Sequence, residues 1–98
     1  MQIKYKTNKI EKICTNAHEA EKKYNRDMSE KIQQRVDEIQ AAPSVEMMIQ
    51  FSIGRCHLLK GDRAGQYAVD LVHPYRLVFT KEGGKIQIAC IQEIVDYH

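Results

Sequence analysis

Most of the signatures by which small proteins declare their chemistry are missing from this chain. No apolar run approaches membrane-spanning length, and the start, Met1-Gln2-Ile3-Lys4, lacks the apolar region of a signal peptide, so the cytoplasm and no membrane contact are expected. The three cysteines, Cys14, Cys56 and Cys90, are odd in number and show no CxxC spacing. They read as reduced, buried, small apolar residues rather than a disulfide framework or a zinc site. There is no Gly-rich phosphate loop, no paired-carboxylate motif and no His/Cys cluster at metal-ligand spacing, so neither cofactor nor metal is expected. Internal repeats, linkers and low-complexity tracts are also absent.

What is present fits one domain, residues 1–98, with one modest core. Charged residues at 29% and hydrophobic ones at 43% argue against disorder. The net charge of +2 hides an asymmetry: residues 1–26 hold seven Lys/Arg against three Glu, residues 27–50 two against five, and the remainder six against five. This basic bias permits contact with nucleic acid, with Lys9 and Lys12 of the first helix as candidate RNA-binding residues. A solvated lysine-rich helix face explains the same residues.

Ile3 to Lys6 reads as a short first strand. From Asn8 the period changes to helical, with Ile10, Ile13, Cys14, Ala17 and Tyr24 on one side. Thr15-Asn16 is a candidate interruption. Asn25-Arg26-Asp27 is the better one, because Asp27 and Glu30 have cap-and-carboxylate spacing. A second helix buries Met28, Ile32, Val36 and Ile39 and ends at Ala42-Pro43. Ser44 caps a short third helix holding Val45, Met48 and one of Ile49 or Phe51. After Gly54 strands take over: Cys56 to Leu59, Gln66 to Val72, Tyr75 to Thr80, and a final strand in Lys85 to His98 carrying Ile86, Ile88, Ile91, Ile94 and Val95. Short turns between them imply antiparallel neighbours. The mixture of polar and apolar residues at Gln92, Ile94 and Asp96 predicts an irregularity near Gln92-Glu93. The expected fold is α+β: a small, mainly antiparallel sheet with a helical hairpin and a short helix packed on one face, and the other face left for function.

The polar groups that interrupt the strands are His57, Lys60, Arg63, Arg76, Asp96, Tyr97 and His98. His57 and His98 suit proton traffic near neutral pH. Arg76 can clamp phosphate oxygens in two places at once. Asp96 can orient a histidine, and Tyr97 can stack on a base or donate a proton. A metal-free ribonuclease needs this combination: a group to take the 2′-hydroxyl proton, one to protonate the leaving 5′-oxygen, and cations on the phosphorane. Each residue also has a structural reading. Arg76 can pair with Asp70, Asp96 can end a strand, and Tyr97 can be a half-buried aromatic. Alternation separates Asp96 and His98 from Tyr97 unless the strand bulges or curls.

Two blocks, HLLKGDRAGQYAVDLVHPYRLVF (His57 to Phe79) and EIVDYH (Glu93 to His98), resemble the RelE/ParE superfamily of bacterial toxins, and within it the HigB type, the plasmid-maintenance killer proteins. The resemblance implies a RelE-like fold and a toxin that enters the ribosomal A site and cuts mRNA by 2′-hydroxyl attack. It implies catalytic roles for His57, Arg76, Asp96, Tyr97 and His98, and RNA-contacting roles for Lys60 and Arg63. The implied partners are mRNA on the ribosome, ribosomal RNA and a helix-turn-helix, HigA-like antitoxin. The implied assembly is a monomer when free and a heteromer, up to a heterotetramer, with the antitoxin. Leu58 stands where many relatives carry proline. The alternatives are a ParE-like, non-catalytic inhibitor of DNA gyrase and a module that binds antitoxin without catalysis.

Overall fold

The computed structural model describes residues 1–97. Strand β1 (Gln2–Tyr5) leads into four helices, α1 (Asn8–Thr15), α2 (Ala17–Lys23), α3 (Arg26–Ala41) and α4 (Val45–Gln50). Strands β2 (His57–Leu58), β3 (Tyr67–Asp70), β4 (Tyr75–Glu82) and β5 (Ile88–Asp96) follow. Short 3₁₀ turns at Ile53–Arg55 and Gly61–Arg63 flank β2.

Side-chain caps divide the helical half. Thr7, Asn16, Asn25 and Ser44 each accept from backbone N–H groups of the following turn, so both candidate interruptions are real. The second break differs from expectation in one respect: Asn25, not Asp27, is the cap, its Oδ1 accepting from Met28 N at 2.8 Å. Ala42 is extended at φ −72°, ψ 138°, as crowding by Pro43 requires. The stripe Met28, Ile32, Val36 and Ile39 is buried throughout.

The sheet order is β1-β5-β4-β3-β2. The β2–β3, β3–β4 and β4–β5 pairs are antiparallel, and β1 runs parallel to β5. One face packs Val69, Leu77, Phe79, Ala89 and Ile91 against α1, α3 and α4 in the main core. The opposite face carries a small apolar floor of Leu59, Ala68 and Val78, with Val95 against it. The arrangement is the expected α+β one.

Three expectations need correction. Ile86 precedes β5 and is 76% exposed, so the final strand begins at Ile88. Ile49 and Phe51 are exposed, leaving Val45 and Met48 as the buried anchors of α4. Cys90 is only half-buried, unlike Cys14 and Cys56.

The irregularity predicted near Gln92 is present, and it decides which residues face which way. Phe79 pairs with Ile91 while the neighbouring Val78 pairs with Glu93, so Gln92 is an extra residue in β5. Ile91 and Ile94 are three apart, an odd spacing that a regular strand would put on opposite faces. The bulge lets both face the helices. It also turns Glu93, Val95 and Tyr97 to the open face.

Candidate functional site

The open face is built outward from β4. Arg76 alternates with the buried Leu77 and projects away from the helices. Its ladder partners are Asp70 on β3 and Val95 on β5. The Arg76 Nε lies 3.4 Å from Asp70 Oδ1, and its Cζ sits 4.6 Å from the centre of the Tyr97 ring, a cation–π contact. Tyr97 N donates to Pro74 O at 3.0 Å, which ties the end of the chain to the β3–β4 turn.

His57 lies on the same face, opposite Ala68. Its Nδ1 is 2.9 Å from Arg55 O. A carbonyl only accepts, so Nδ1 carries the proton and in the neutral ring Nε2 keeps its lone pair. Two strand spacings of about 4.8 Å and two residue rises of about 3.3 Å put the Cα atoms of His57 and Arg76 roughly 12 Å apart.

The structure adds two residues the sequence reading did not single out for the site. Arg55 Nε lies 2.9 Å from Asp70 Oδ2, so a single carboxylate braces two guanidinium groups. Asp70 is itself held from behind, its carbonyl accepting from Arg35 Nε at 2.6 Å. Gly54 (φ +59°) lies against the Arg35 guanidinium, where a Cβ would come within 2.9 Å of Nε. A cavity of about 220 Å³ opens here, lined by Arg55, Asp70, His73, Tyr75, Arg76 and Tyr97. The signal for Asp70 was legible, since a four-residue connection between strands places it opposite Arg76. Arg55 had none, because its position depends on the left-handed turn before β2.

The other site candidates are dispersed. Asp96 pairs with Tyr75, whose ring packs edge-on against Tyr24 in the helix layer, so Asp96 alternates to the helix-bearing side. The bulge lies upstream and does not reunite it with Tyr97. His98 lies outside the described residues. Arg63 reaches across the open face, its Nη1 and Nη2 each 3.4 Å from Glu93 Oε2 and Nη1 also 3.0 Å from Gln66 Oε1. That bridge walls the apolar floor. Lys60 is exposed at the base of the same loop. Lys9 and Lys12 belong to α1 and line a groove of about 510 Å³ with Lys22 and Lys23, away from this face. No helix among the described residues is long and apolar enough to cross a membrane.

No family model matches the chain, and no curated protein does. Among solved structures it is similar to the YoeB/ParE toxin from Agrobacterium tumefaciens, with a TM-score of 0.69 and 18% identity over 100% of both chains. The five-stranded sheet, the helices on one side and the end-to-end likeness together show that this chain has the fold of the RelE/ParE-like toxins.

Proposed function

We propose that this protein is the toxin of a type II toxin–antitoxin pair, a ribosome-dependent endoribonuclease that cuts mRNA in the A site by 2′-hydroxyl attack. The observation that carries the reading is Arg76, braced by Asp70 and stacked on Tyr97, on the sheet face that also bears His57. His57 Nε2 takes the 2′-hydroxyl proton. Arg76 steadies the charge that gathers on the phosphorane oxygens, and Tyr97 supports the adjoining base. Asp96, on the helix-bearing side of the sheet, takes no direct part, the leaving-group half of the proton traffic falls to His98, and Lys60 and Arg63 guide the RNA backbone. The products are a 2′,3′-cyclic phosphate and a free 5′-hydroxyl.

The fold similarity and the HigB-like motifs support a helix-turn-helix antitoxin as the partner that silences this face. Induction in cells tests the reading. The parental protein halts translation, while His57→Ala and Arg76→Ala relieve growth arrest and still bind the antitoxin. A DNA-damage response with translation intact would instead mark a gyrase-directed toxin on the same fold. Antitoxin binding without any growth arrest would mark a module that has lost catalysis.

A further inference from the structure

We propose that Arg55 is a second phosphate-binding arginine and that Asp70 is the positioning residue that sets Arg55 and Arg76 as a pair, so that an RNA backbone phosphate is gripped between two guanidinium groups. Naming the anion as RNA rests on the nuclease reading. The anion site itself stands on the geometry.

Both arginines approach Asp70 most closely through Nε, at 2.9 and 3.4 Å. Among the described residues no acceptor is hydrogen-bonded to the Nη groups of either. The forked ends match the oxygens of a phosphate, and none of the described residues is hydrogen-bonded to them. Two guanidinium groups and one carboxylate leave the cavity at net +1, the complement of one phosphodiester. Asp70 Oδ1 is buried without a hydrogen bond, so its role here is electrostatic.

The backbone is also arranged toward this end. Ser52, Gly54 and Arg55 have φ of 51°, 59° and 54°, and the left-handed region is unfavourable for Ser and Arg. Strain of this kind persists where the surroundings hold it and concentrates at binding sites. Its outcome is an Arg55 side chain that stays 73% exposed while its Nε meets the Asp70 carboxylate at 2.9 Å. The Arg35 hydrogen bond to the Asp70 carbonyl fixes the other partner.

A structural ion-pair network and an anion site predict opposite signs for one substitution. Asp70→Asn removes a negative charge from the cavity. By charge counting alone, anions should then bind more tightly. If Asp70 positions the arginines, binding weakens instead. The experiment titrates the purified protein with a 2′-O-methyl trinucleotide, which resists cleavage, and separately with inorganic phosphate, following the arginine side-chain resonances. Asp70→Asn, Arg55→Ala and Arg55→Lys each weaken trinucleotide binding about tenfold, the loss of a charge-assisted hydrogen bond. Arg55→Ala also lowers the slope of log affinity against log salt by about 0.7. Arg55→Lys keeps the charge and lies at an exposed position, so its loss isolates the fork and not the fold. Tighter or unchanged binding in Asp70→Asn, or unchanged binding in Arg55→Ala, overturns the inference. So does phosphate binding that the trinucleotide cannot displace, which would assign the cavity to a free anion. The titration needs no cleavage. An inactive protein that still shows these dependences refutes the nuclease reading alone, and an active one without them refutes this inference alone.

Discussion

The bulge at Gln92 makes a prediction in which stability and activity separate. Deleting Gln92 heals the ladder without turning any later residue over, because Ile91–Phe79 and Glu93–Val78 are already neighbouring pairs. What is lost is the Gln92 side chain, whose Nε2 donates to Thr80 Oγ1 at 3.3 Å and to Cys90 O at 3.1 Å. Two neutral hydrogen bonds at about 0.5–1.5 kcal/mol each, partly offset by the regular ladder, give a loss of about 1–2 kcal/mol. In a domain of this size that lowers Tm by roughly 5–15 °C. Inserting one alanine between Val95 and Asp96 does the reverse. It leaves the core untouched and gives up the Arg76–Tyr97 contact, worth about 0.5–1 kcal/mol at an exposed site. It also swings Tyr97 to the helix-bearing side. If Tyr97 supports a base, the missing stacking of about 1–3 kcal/mol slows cleavage roughly 5- to 150-fold. Thermal denaturation and cleavage of ribosome-bound mRNA measure the two effects side by side. The reasoning is wrong if the deletion abolishes cleavage in a protein that still unfolds cooperatively, or if the insertion cleaves at the parental rate.

Ile39→Ala in α3, at a fully buried position, destabilises by about 2–5 kcal/mol in urea denaturation, whereas Ile86→Ala, 76% exposed, stays within about 0.5 kcal/mol. Gly54→Ala forces an L side chain into φ +59° against Arg35, and is expected to lower stability by about 1–3 kcal/mol, read as a fall in Tm. Burial pushes the thiol of Cys14 up to about 12 and that of Cys56 up to about 11. In the folded protein at pH 8, iodoacetamide therefore modifies Cys90 first, which peptide mass spectrometry identifies. The same shifts set a stability trend: the unfolded thiols ionise from about pH 8.5, so the unfolded state binds fewer protons than the native one above that pH. Stability falls as pH rises from there toward 11–12, and replacing both residues with alanine flattens that fall.

Much of the architecture was legible because it rests on local chemistry. Asn16 and Ser44 are short polar side chains placed just ahead of apolar periodicity, and each is a cap; at the second break the cap is Asn25 and not the expected Asp27, and Thr7, which the sequence reading passed over, caps α1. Alternation along Tyr75 to Thr80 puts Leu77 and Phe79 on one face and Arg76 and Val78 on the other, which is how the structure places them. The bulge was legible from a broken alternation. Its direction was not, since it depends on which of Ile91 and Ile94 the helices capture, and both are captured. Ile86 misled because an isoleucine beside a glycine turn looks like a strand entry, while the loop side chain of Gln87 bonds to α4 and leaves Ile86 outside. The site divides in the same way. His57, Arg76 and Tyr97 share the open face, as the strand periods allow. Arg55 reaches it through tertiary geometry, the left-handed turn at Gly54 set against Arg35, which no periodicity encodes.

The chemistry assigned to the open face depends on a ribose hydroxyl as nucleophile. Ribosomes programmed with an mRNA carrying a single 2′-deoxy sugar at the cut position, incubated with the purified protein beside an all-ribose message, test that directly. The account predicts a cyclic phosphate end on the control and no cut at the deoxy position. Cleavage of both messages at the same rate would contradict it.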